Sequence, residues 1–153
     1  MTQSAHEKVN AYKSNQQVRM DGREIDMRAL LNCANRLKIA LDNDGKDIKL
    51  YQDALRHNQH LWTIFQVALT DPSNELTTDL KLTLLRLSGF VDQVTFKNIC
   101  AFSSQALNTL IDLNRSIAAG LAKKVEQKSG EGSQNLAPPM LIAGTPAAVM
   151  TSA

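Results

Sequence analysis

Helix-breaking residues are almost missing from the middle of this chain. Between Gly45 and Gly120 the only glycine or proline residues are Pro72 and Gly89. A sheet-containing domain of this size needs tight turns far more often than that. The central region is therefore predicted to be long helices, and the fold class an all-α, small antiparallel bundle of about four helices.

Four helical segments can be read from apolar spacing. The first runs from about Arg23 to Leu41 through Met27, Leu30, Leu31, Ala34 and Leu37, and stops at Asn43-Asp44-Gly45. Gly45 suits a left-handed position just past a helix end. The second, about Lys46 to Leu69, has the clearest stripe: Ile48, Tyr51, Leu55, Trp62, Phe65 and Leu69, with Asn58 at the one polar step and Leu61, Ile64 and Ala68 on a flank. Asp71-Pro72-Ser73-Asn74 ends it, because proline disfavours helix in the residue before it.

The third segment, about Thr78 to Ile99, carries Leu80, Leu84, Leu87, Val91 and Val94, with Leu82, Leu85 and Phe96 off that stripe. Apolar residues on more than one side predict a central helix. Gly89 in its interior is unfavourable by about 1 kcal/mol relative to Ala, so either a close helix contact or a bend is expected there. The fourth segment, about Ser104 to Gln127, opens at the candidate caps Ser103 and Ser104. It continues through Leu107, Leu110, Ile111, Asn114, Ile117, Leu121 and Val125. Lys123, Lys124 and Lys128 suit the negative end of the helix dipole, and Gly130 follows.

The chain thus divides into a weakly ordered segment 1–22, a helical domain 23–128 and a tail 129–153. In the first segment Tyr12 and Val18 could dock a frayed helix. The tail is rich in Gly, Ser, Ala and Pro, with Glu131 its last charge, and is expected to be disordered because it cannot bury enough surface to offset its ordering entropy. Met140-Leu141-Ile142 within it reads either as inert or as a short docking motif.

Charge and motifs narrow the chemistry. Seventeen Lys and Arg against 15 Asp and Glu leave a formal charge of +2, and there are one Trp, two Tyr and four Phe. Direct nucleic-acid binding is not expected, since it needs a basic surface or stacking aromatics. No apolar run approaches the ~18–20 residues of a membrane helix, so no membrane insertion is expected. The first residues carry no secretory pattern, and Cys33 and Cys100 form no metal-ligand spacing. A cytoplasmic location with reduced thiols is the expectation, with a Cys33–Cys100 disulfide the alternative.

No phosphate loop, nucleophile elbow or zinc-binding helix motif occurs, so the chain is expected not to be an enzyme and to need no cofactor. Asp53, His57 and His60 would share one face of the second helix, where they are either three metal ligands or a solvated surface. Asn58 and Asn114 each interrupt an apolar stripe. They either fix helix register, as buried amides do in coiled coils, or meet the backbone of a partner.

The segment Asn58-x-x-Leu61-Trp62-x-x-Phe65, followed by Leu76, Leu80, Leu87 and Phe90-Val91, resembles the flagellar biosynthesis regulator FlaF family of bacteria. The later run Leu110-Ile111-x-x-Asn114-Arg115-x-Ile117-x-x-Gly120-Leu121 strengthens the resemblance, as do Ala11-Tyr12 and Arg23-Glu24. It covers about residues 11 to 122. One departure is Thr77 after Leu76, where the family often has proline; a threonine cap can serve instead.

The resemblance implies a small cytoplasmic helical protein required for flagellin production and filament assembly. It implies flagellin as a partner, held before export by a secretion chaperone; the alternative is a regulator of flagellin translation acting through an FlbT-like protein or the flagellin messenger. A helical scaffold could receive an amphipathic flagellin helix in an apolar groove. The candidate contacts are Asn58, Leu61, Trp62, Phe65, Asn114 and Arg115, with plain core packing the alternative for Trp62 and Phe65.

Overall fold

The computed structural model describes residues 22–130, and these form four helices: α1 (Gly22–Asn43), α2 (Ile48–Thr70), α3 (Thr78–Asn98) and α4 (Ser104–Gly130). Among the described residues there is no strand. The expectations for the N-terminal segment, including Tyr12 and Val18, and for the tail beyond Gly130, including Met140-Leu141-Ile142, lie outside the described residues. So do those for the side chains of Lys124, Val125 and Lys128.

The helix ends have local causes. Asp47 rather than Lys46 precedes the first turn of α2, and its carboxylate accepts from the backbone N–H of Lys49 and Leu50. Thr77 Oγ1 accepts from Leu80 N at 3.4 Å and Ser103 Oγ from Ala106 N at 3.1 Å, so both predicted hydroxyl caps form. Between α1 and α2 the chain turns through Asp44 and Gly45, both left-handed at φ 55° and 76°. Gly45 is required twice over: beyond its φ, a Cβ there would lie 3.0 Å from Phe102 Cγ. After α2, Asp71 Oδ1 accepts from both the N–H and the hydroxyl of Ser73, which holds its carboxyl below the usual range. Asn74 Nδ2 donates back to the Ala68 carbonyl, satisfying the end of α2.

Short connections make neighbouring helices antiparallel. The cross-contacts agree, because rising numbers on α2 meet falling numbers on α3. Tyr51 hydroxyl donates to the Asn98 carbonyl at 2.7 Å, Gln59 reaches Asp92 at 3.2 Å, and Ser88 hydroxyl donates to the Trp62 carbonyl at 3.3 Å. Helix α1 packs most extensively on α4 and also on α2; α2 packs on α3; α3 and α4 touch only lightly. The result is a four-helix bundle with one loose seam.

The core holds Leu30 and Leu37 from α1, Tyr51, Leu55, Trp62 and Phe65 from α2, Val91 from α3, and Leu107 and Leu110 from α4, each essentially without solvent exposure. Complete burial stabilises each such side chain by about 1.5–3 kcal/mol. The rings of Trp62 and Phe65 meet edge to face at 5.5 Å, a favoured aromatic geometry.

Two expectations are corrected. Helix α3 is peripheral, not central: only Leu84, Ser88, Val91 and Thr95 are buried on it, and Leu82, Phe90 and Phe96 are exposed. Of its off-stripe apolar residues only Leu85 packs, partly buried, against the core, because α2 is the one described helix that covers α3 closely. Nor does close packing explain Gly89, since among the described residues a Cβ there would meet nothing within 4 Å. Smaller differences are the exposure of Leu31 and Ile48, both on predicted stripes, and the extension of α4 to include Gly130.

Candidate functional site

Asn58, Trp62 and Asn114 come together in the middle of the bundle. Asn114 Nδ2 donates to Asn58 Oδ1 at 2.6 Å and to the Leu30 carbonyl at 3.4 Å, while Asn114 Oδ1 accepts from Trp62 Nε1 at 3.0 Å. With the Ser88 hydroxyl on the Trp62 carbonyl, this one layer ties all four helices. Every side chain in it is fully buried. Among the described residues, Asn58 Nδ2 has no hydrogen-bond partner.

That layer separates the sequence candidates. Leu61, Trp62 and Phe65 lie inside the bundle at 7%, 0% and 0% exposure, closed to any partner while the helices stay packed. Asn58 and Asn114 bond to each other and fix the level at which α1, α2 and α4 meet. Arg115, the next residue, is exposed on α4. A helix with one apolar stripe cannot tell, from its sequence, whether that stripe faces neighbouring helices or a guest.

The remaining candidates are dispersed. Asp53, His57 and His60 are exposed on α2. Among the described residues no three His, Cys, Asp or Glu side chains are placed to hold a metal ion. Partial desolvation of its ring, followed by the charges of Arg36 and His60, holds His57 below the ordinary histidine range. Cys33 is buried and Cys100 exposed, and both are free thiols rather than a disulfide. Burial pushes the Cys33 thiol up to about 11, with Arg36 opposing it. Among the described residues, no helix is long and apolar enough to cross a membrane.

Among the described residues, an open concavity lies at the loose seam. Phe90, Val94 and Asn98, spaced one turn apart on α3, face Ser103, Gln105, Ala106 and Thr109 at the start of α4 across a groove of about 190 Å³. Phe90 is 42% exposed there. The volume falls below the ~300 Å³ typical of small-molecule pockets and suits one or two inserted side chains. Sequence reading missed this site. Its one apolar signal off the predicted stripe was Phe90, since Val94 lay on that stripe.

Fold and seam together define an all-α bundle locked by an internal amide layer, with an apolar notch on one side. The chain belongs to the flagellar protein FlaF family, whose model matches residues 8–121. The amide layer and the notch both fall within the matched region. The chain matches no curated protein and no solved structure.

Proposed function

We propose that this flagellar protein binds flagellin in the cytoplasm and keeps it competent for export. The α3/α4 groove receives the apolar face of one amphipathic flagellin helix. The observation that carries this reading is Phe90, half-exposed beside Val94 and Ala106 in an open groove on a chain of this family. A guest helix presenting apolar residues at i, i+3, i+4 and i+7 inserts one or two of them there, and Asn98, Gln105 and Thr109 supply polar contacts at the rim. The buried trio Leu61, Trp62 and Phe65 then contributes by holding α2 in place, not by contact.

The test is binding of purified flagellin to the full chain by calorimetry, with Phe90→Asp as the variant. Phe90 is not part of the buried core, so the variant is expected to fold. A buried apolar anchor exchanged for a charge should weaken binding at least about tenfold. Undiminished binding by a folded Phe90→Asp protein would refute the groove, and absence of binding by the unaltered chain would refute flagellin as the partner.

A further inference from the structure

Among the described helices, α3 is the one held least firmly. Its buried residues are Leu84, Ser88, Val91 and Thr95, so two of the four are hydroxyl side chains. Ser88 donates to the Trp62 carbonyl at 3.3 Å, and Thr95 Oγ1 has no partner among the described residues. Leu80, Leu85, Leu87 and Val94 pack against the core only partly buried. The remaining hydrogen bonds that tie α3 to the described bundle come from α2: Tyr51 to the Asn98 carbonyl, and Gln59 and Gln66 to Asp92. Helix α4 touches α3 lightly. By contrast, α1, α2 and α4 meet in the amide layer and each carries a stripe closed to solvent.

Off the bundle, α3 has little reason to stay helical, because a protein helix draws most of its stability from the face it packs. Thr83, Val91, Val94 and Thr95 are β-branched, and Gly89 loses more backbone freedom on ordering than any other residue type would. We propose that α3 opens as one cooperative unit, leaving α2 and losing its helix, while α1, α2 and α4 stay packed. Phe90, Val94 and Asn98, one wall of the seam groove, go with it. The groove therefore exists in the closed form alone, and opening switches it off. Gly89 sets how readily this happens, which is a use for a glycine that no close packing requires. Use of the groove by a guest rests on the function proposed above; the opening does not.

Amide hydrogen exchange of the full chain alone, followed by NMR at urea concentrations below the unfolding transition, reads this opening. Amides from Leu84 to Thr95 should exchange at least about tenfold faster than those of Leu30, Leu37, Trp62 and Leu107. Their rates should also rise less steeply with urea, since opening one helix exposes less surface than global unfolding. Gly89→Ala, whose methyl group meets open space among the described residues, should slow exchange across α3 about fivefold. Leu37→Val, which takes a methylene from the buried stripe of α1, should speed exchange of the α1, α2 and α4 core amides about fivefold and leave α3 unchanged. Equal rates and urea slopes in α2 and α3, exchange in α3 indifferent to Gly89→Ala, or acceleration of α3 by Leu37→Val would each overturn the proposal. Flagellin takes no part in these measurements, so their outcome is independent of the guest.

Discussion

Replacing Asn114 by Leu keeps the branched shape of the side chain and removes only its polarity. In the bundle that strands two groups: Trp62 Nε1 loses its acceptor at 3.0 Å, and Asn58 Oδ1 loses its donor at 2.6 Å. Each buried, unpaired group costs about 1–3 kcal/mol, so Asn114→Leu should destabilise by about 2–6 kcal/mol. A domain is stable by only about 5–15 kcal/mol in total, so the effect is severe. Asn58→Leu should cost less. It removes an amide nitrogen that already lacks a partner, and Asn114 Nδ2 keeps the Leu30 carbonyl. The double variant leaves only Trp62 Nε1 stranded, so it should be more stable than Asn114→Leu alone. Urea unfolding followed by the fluorescence of Trp62, the single tryptophan, reads all three proteins. An Asn114→Leu protein within about 0.5 kcal/mol of the original, or a double variant whose loss equals the sum of the singles, would refute the amide layer as a coupled network.

Other outcomes follow from single features. Thr95 Oγ1 is buried without a partner among the described residues, so Thr95→Val should raise the midpoint of thermal unfolding by removing a cost of about 1 kcal/mol. Iodoacetamide at neutral pH should label Cys100 and leave Cys33 untouched until the chain is unfolded. Because burial raises the Cys33 thiol from 9.0 to about 11, its contribution to stability is complete below pH 9 and is lost as pH climbs toward 11. Replacing Cys33 by Ala should flatten that part of a pH–stability profile. Asp47→Ala removes the cap of α2 and should cost about 1 kcal/mol in urea unfolding.

The helices were legible because their punctuation is local. Gly45 and Asp71-Pro72 act through their own backbone and Ser103 through a hydroxyl that reaches only three residues along, and every helix boundary fell close to the expected residue. The core stripe of α2 was legible for a related reason: Tyr51, Leu55, Trp62 and Phe65 recur at the helical period whatever they pack against. Partnership was not legible. Leu61, Trp62 and Phe65 have the same spacing as anchors of a guest as they have in a core, and only the placement of α1, α3 and α4 around them closes them off. Helix α3 misled in the opposite sense. Leu82 and Phe96 suggested a second buried side, but among the described residues both are exposed. The groove at Phe90 and Ala106 joins residues of two helices whose light contact no single stretch of sequence encodes.

The proposed seat of the guest is the α3/α4 groove, and a titration of unlabelled flagellin onto the isotopically labelled chain, read by amide NMR shifts, locates the guest directly. Shifts gathered on Phe90, Val94, Asn98, Ala106 and Thr109, with the Trp62 indole N–H signal unmoved, are the result expected. Shifts centred on Asn58, Trp62 and Asn114 instead would mean that the bundle opens to take its partner into the core, and would contradict that seat.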